Sequence, residues 1–258
     1  MSTRRQDEDL HISEHDLLRL TRDMEDAHQS TLPAMHAGTA DLVEEVRATD
    51  VRRRGFLVGI GAAAAAFALA GRSGTAPAYA AESSPLAAPS PYVGDLKVVA
   101  LAVALENQAV CAYGAALKAA KAGKLGKVPP AVATFAVTAM NQHAAHAKAW
   151  NAVLTGAGRP AIKGVPLSNQ AATLKALGKV DSVAGVARLA LSLEEQAAQT
   201  YSFATTHVTS PAGIRTAASI APVEAQHAAI LHFVLGEYPV QDTFLPLDKA
   251  ASPALLTV

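Results

Sequence analysis

Cysteine is almost missing from this 258-residue sequence: Cys111 stands alone, so no internal disulfide can form. Aromatic residues are scarce at 5%, with a single Trp, while half the chain is hydrophobic. An apolar fraction carried by Ala, Leu and Val, without rings, points to helices. Net charge is absent too, at +0, and no basic stripe interleaved with aromatics occurs anywhere, which excludes nucleic acid as a partner. There is no Gly-x-Ser-x-Gly and no alternation of helix with strand, so a hydrolase built on a nucleophile triad is excluded as well.

The charged residues are unevenly spread. Residues 1–54 hold eight Arg and twelve Asp or Glu of the 44 charged residues. Residues 1–51 read as an acidic extension, partly disordered, in which Leu17, Leu18 and Leu20 allow an amphipathic helix that Pro33 and Gly38 interrupt. His11 and His15, four apart, could share a helix face as a metal pair, but a solvated acidic helix or disordered tail accounts for them better. Residues 52–80 then carry a positive region ending in Arg53 and Arg54, Phe56-Leu57, an apolar run from Val58 to Ala70, and the small-residue tripeptide Ala78-Tyr79-Ala80. These are the parts of an export signal. The arginine pair resembles the twin-arginine type, which implies the matching export machinery as a partner and cleavage after Ala80. The protein is then expected outside the cytoplasmic membrane, in the periplasm, envelope or medium, or held by an N-terminal anchor if the signal stays uncleaved. Residues 81–92, with three Ser and three Pro, read as a linker.

Beyond the linker the sequence repeats itself. Leu105, Glu106, Gln108, Ala109 and Tyr113 recur in order as Leu193, Glu194, Gln196, Ala197 and Tyr201. At similar distances behind them come His143-Ala-Ala-His146 and Glu224-Ala-Gln-His227. Two copies of one helical hairpin explain this. Boundary residues agree: Asp95 can cap a first helix ending near Lys121, and a second runs from Pro130 to about Gly156. A long connection with one short helix after Ser168 leads to a third helix capped by Asp181 or Ser182, and a fourth runs from Ser210-Pro211 to Gly236. The predicted fold is therefore all-α: residues 93–237 form a four-helix bundle of two hairpins joined by a long crossover, with 238–258 a tail along its outside.

Helical spacing also aims the polar residues. Between Val98 and Leu117 the only charged residue is Glu106, on the stripe of Val99, Val103, Val110 and Tyr113. Glu194 has the same setting, whereas Glu195 is rotated about 100° away. His143 and His146 share a face with Phe135 and Trp150, Glu224 and His227 one with Ile220 and Leu231, and His207 and His232 fall outside these faces. A lone buried carboxylate costs several kcal/mol, about the price of an unmet charge, but carboxylates and imidazoles converging at one level can share a divalent metal. Gln108 and Gln196 are expected to face outward, Cys111 to be a buried small hydrophobe, and Tyr113 and Tyr201 to pack in the core with hydroxyls able to reach the Glu ligands.

One Glu from each of two helices plus an acid-x-x-His pair from the others resembles the di-iron and di-manganese carboxylate bundles, and residues 93–237 look like an exported bacterial ferritin-like domain protein. Carried over, the resemblance makes Glu106 and Glu194 terminal ligands, Glu224 a bridge, and His146 and His227 one imidazole for each metal, with iron or manganese as cofactor. His143 is the departure: it stands where the pattern has a second bridging Glu, and imidazole cannot bridge as carboxylate does. One strong site, a lopsided pair, or zinc or copper all remain compatible. Three functions follow as alternatives: redox chemistry with O2 or peroxide, non-catalytic metal binding or storage, and a stress or structural bundle with a vestigial site. Ala-rich outer faces would permit a homo-oligomer.

Overall fold

The computed structural model describes residues 11–67, 90–240 and 246–258, with side chains left out for 50–67. The described chain is all-helical, in the order α1 Glu14–Phe67, α2 Asp95–Lys121, α3 Pro130–Gly156, α4 Gln170–Leu177, α5 Val183–His207 and α6 Pro211–Leu235. The expected cleavage site after Ala80 and the linker up to Pro89 lie outside the described residues, while the backbone of 52–67 continues α1.

α2 pairs with α3 and α5 with α6, and the four make the bundle, with α4 lying in the crossover between the hairpins. Local chemistry sets most of the ends. Ser182 Oγ accepts from the Gly185 N–H and Ser210 Oγ from the Gly213 N–H, each satisfying a free donor in the first turn. Gly236, at φ 73°, closes α6 in the left-handed conformation. Asp95 does not cap its own helix as the sequence suggested. Its carboxylate instead accepts from the Thr209 and Ser210 N–H groups, tying the start of α2 to the start of α6. The tail runs along the outside, where the Lys249 N–H meets Gln199 Oε1 and the Ala251 N–H meets Thr200 Oγ1.

The N-terminal extension departs furthest from expectation. α1 runs unbroken through Pro33 and Gly38 and packs on both α3 and α6. Pro33 is exposed, so the carbonyl freed by its missing N–H faces water. Gly38 permits contact: a Cβ there would lie 2.5 Å from Thr216 Oγ1 on α6. Leu17, Met24, Met35 and Leu42 are buried and join the same clusters as Phe135, Trp150, Ile220 and Leu231. At roughly 1.5–3 kcal/mol per fully buried side chain, these four contribute up to about 6–12 kcal/mol. Glu45 accepts from Ser210 Oγ at the start of α6, and Arg47 Nε donates to the Gly156 carbonyl at the end of α3. Each charge sits at the helix terminus that favours its sign.

Candidate metal centre

Because each helix turns its apolar stripe inward, the six polar residues on those stripes arrive at one level. Glu106, His143, His146, Glu194, Glu224 and His227 are all at most 2% exposed. They form two overlapping groups of four, Glu106, His143, His146, Glu224 and His143, Glu194, Glu224, His227, with one ligand atom per residue inside 4.8 Å.

His143 sits at the middle. Its Nδ1 lies 2.7 Å from Glu106 Oε2 and its Nε2 lies 3.1 Å from Glu194 Oε1, so the ring faces one carboxylate from each hairpin. Burial would depress its pKa, but the Glu224 and Glu194 charges and the hydrogen bond to Glu106 hold it well above the ordinary imidazole value. His146 follows the same logic: burial opposes the charge, Glu106 outweighs burial, and the pKa rises to about 9. Burial pushes the Glu106 carboxyl up, yet the charge of His146 and the hydrogen bond from His143 bring it down to about 2. Glu194 is likewise held well below the usual range, mainly by His143 and His227 working against burial.

The tyrosines link the two hairpins reciprocally. Tyr113 on α2 donates to Glu194 on α5 at 2.5 Å, and Tyr201 on α5 donates to Glu106 on α2. Each copy of the repeat thus holds the other copy's glutamate. Both phenols are kept protonated well above their usual range, first by burial and then by those carboxylates. Tyr201 alone has a further partner, the Trp150 indole N–H at 2.8 Å.

Two atoms lack a hydrogen bond. His146 Nδ1 and Glu224 Oε1 face each other at 3.0 Å, wholly buried and without the alignment of a hydrogen bond, and His146 Nδ1 lies a further 3.4 Å from Glu106 Oε1. His227 presents Nδ1 to Glu194 and Glu224 at 3.2 Å each, while its Nε2 lies 2.8 Å from Gln142 Oε1. That outer contact turns Nδ1 toward the cluster, where Glu194 and Glu224 outweigh burial and hold a proton on it that a metal would displace. Carboxylate and imidazole donors with unmet lone pairs suit a divalent transition metal.

Several residues sit elsewhere than their sequence suggested. Gln108 is buried, not outward-facing, and its amide donates to Asn169, Gln170 and Thr173, holding α4 over α2. Cys111 is half-buried under Gln170. His11 precedes α1 and both it and His15 are exposed, so they form no pair at the site. The histidine that α1 does bring is His28, edge-on to His146 with ring centroids 5.2 Å apart. Burial, and then the neighbouring His146, lower its pKa to about 4, which keeps it neutral. Glu25, one turn earlier, accepts from Gln142 Nε2 at 2.7 Å. The signal was present: Glu25-Asp26-Ala27-His28 has the spacing of Glu224-Ala225-Gln226-His227.

A mainly apolar crevice reaches Glu106, His143 and Tyr201 between Val99, Ala102 and Leu193 of α2 and α5, with Leu42 of α1 also in its wall. Residues 94–237 match the family model described as a ferritin-like domain. No curated protein and no solved structure matches the chain.

Proposed function

Because the chain belongs to the ferritin-like domain family, we propose that its buried Glu/His cluster binds a divalent transition metal, iron or manganese, for redox chemistry with O2 or peroxide. The observation that carries this reading is the pair of buried atoms His146 Nδ1 and Glu224 Oε1, which face each other with no hydrogen bond made by either. Leaving two such groups unmet costs about 1–3 kcal/mol each, and a cation between them removes that cost. Glu106, His146 and Glu224 would hold the ion. The metal, when bound, supplies one-electron chemistry. Around it, Tyr201 and Tyr113 fix the glutamate rotamers, Gln142 fixes the His227 tautomer, and the apolar crevice between α2 and α5 admits a small uncharged oxidant while excluding bulk water.

His143 argues for one ion in preference to a symmetric pair. The two candidate groups share it, and a neutral imidazole has a single lone pair to offer. Elemental analysis of the purified full-length chain tests the proposal, with oxygen consumption recorded on adding Fe2+. One metal per chain and rapid oxygen uptake are expected; metal without uptake would leave storage, and a metal-free protein indifferent to Fe2+ and Mn2+ would end the reading.

A second reading, a stress or structural bundle whose site is vestigial, is favoured by the ion pairs that His143 makes with Glu106 and Glu194 and His227 with Glu224, which need no metal. It predicts that replacing Glu224 and His227 together by Ala leaves the melting temperature unchanged or raised, with or without metal. Export through the signal at Arg53 and Arg54 belongs to the same proposal. With residues 52–80 across a membrane, α1 and the bundle would lie on opposite faces, so export requires α1 to leave the groove. N-terminal sequencing of the protein outside the cytoplasm should begin at Ala81; full-length protein found only inside would refute export.

A further inference from the structure

The histidine that α1 adds has no role in the bundle described so far. His28 is 3% exposed, and neither of its ring nitrogens has a hydrogen-bond partner. Its neighbours on the inner stripe of α1, Leu17 and Met24, are apolar, and a Leu or Met at position 28 would pack there without stranding two polar atoms. The ring instead lies against His146, beside the two atoms of the cluster that make no hydrogen bond.

Glu25 shares that face, three residues earlier. Half-buried, it takes Gln142 Nε2 on one oxygen at 2.7 Å and Gln29 Nε2 on the other at 2.6 Å. Gln29 is exposed, whereas Gln142 is buried and contacts His227. Glu25 and His28 therefore form a line of oxygen and nitrogen donors from the surface of α1 to the imidazoles of α3 and α6. The crevice between α2 and α5 is lined mainly by Val, Ala and Leu, and its Gln108, Gln196 and Thr200 are neutral, so a hydrated cation meets no charge there before Glu106 and His143. An ion taking that way would exchange water for neutral amide and hydroxyl oxygens alone, with no carboxylate or imidazole to offset the loss of hydration.

We propose that Glu25 and His28 form an accessory site for a divalent cation, through which metal passes between solvent and the buried cluster. The proposal rests on the reading of that cluster as a metal centre. In it α1 is part of the site, and loading takes place with α1 docked. Charged and uncharged reactants then use different routes, cations past Glu25 and His28 of α1 and a small apolar oxidant between α2 and α5.

The test follows Co2+ uptake by the full-length chain, with the rate from stopped-flow visible absorption and the final amount from elemental analysis. His28→Ala and Glu25→Gln are compared with wild type, and melting in chelator verifies that each is folded. Glu25→Gln keeps an acceptor for Gln142 and removes the charge, so it decides the matter if His28→Ala does not fold. Both variants should reach the wild-type Co2+ content with loading slowed by about tenfold or more. Wild-type content reached at rates within about twofold of wild type would overturn the accessory site alone. A wild-type chain that takes up no Co2+ would overturn the metal centre, and the accessory site with it.

Discussion

The reciprocal tyrosines offer a test of the site that needs no metal. Tyr113 and Tyr201 occupy equivalent places in the repeat, and each donates to a buried glutamate, but only Tyr201 also accepts from Trp150. Replacing either by Phe keeps the ring and removes one oxygen. For Tyr113→Phe the loss is one hydrogen bond to a charged acceptor, about 1.5–3 kcal/mol; Glu194 Oε1 keeps His143 Nε2 at 3.1 Å. Tyr201→Phe loses the same and also strands the indole N–H of Trp150, which is 3% exposed. An unmet buried donor adds about 1–3 kcal/mol. Tyr201→Phe should therefore melt lower than Tyr113→Phe by roughly 2–12 °C, at about 2–4 °C per kcal/mol for a chain of this size. Chelator-treated protein in differential scanning calorimetry gives the comparison. A cycle with Trp150→Phe isolates the stranded donor, because the double variant should be less destabilised than the sum of the singles by about 1–3 kcal/mol. Equal losses for the two tyrosines, or no coupling to Trp150, would refute the asymmetry.

His143→Glu should raise bound metal from one toward two per chain, since a second bridging carboxylate replaces an imidazole that can serve only one group; an unchanged ratio in elemental analysis counts against His143 as the reason for a single site. Metal-free stability should depend on pH on both sides. His146 rises from 6.5 to about 9 on folding, so its contribution is whole below about pH 6.5 and is lost as pH climbs through about 9. Glu106 falls from 4.5 to about 2, so its contribution is whole above about pH 4.5 and is lost as pH falls through about 2. Urea titrations across pH should show both limbs, and bound metal, which displaces the imidazole protons, should flatten the alkaline one. Gly38→Val should lift α1 from α6 by forcing a side chain against Thr216; a loss of about 1–3 kcal/mol by urea denaturation is expected, and proteolysis between residues 11 and 49 should quicken. Resistance to protease equal to wild type would show that the close approach at Gly38 is not needed.

The course of the four bundle helices was legible because it depends on local rules. Ser182, Ser210, Pro130, Pro211 and Gly236 mark helix ends by their own backbone chemistry. An isolated Glu106 among Val and Ala faces the core wherever that helix packs. The same periodicity placed His143, His146, Glu194, Glu224 and His227 on inward stripes, and in the packed bundle they meet at one level. α1 was misjudged because Pro33, Gly38 and an acidic composition each argue against a long helix in isolation. Only the groove between α3 and α6 supplies the burial that outweighs them.

What the sequence by itself determined is thus the set of helices, their inward faces and the six side chains brought to one core. Tertiary structure alone decided how those side chains share their hydrogen bonds: His143 straddling Glu106 and Glu194, each tyrosine holding the opposite hairpin's glutamate, and two atoms left unmet at His146 and Glu224. It alone brought Glu25 to Gln142 and His28 to His146, across 117 and 118 residues of chain. Helix period reports which way a residue points relative to its own axis. Which partner waits there depends on the distance and register between packed helices, and no local pattern carries that information.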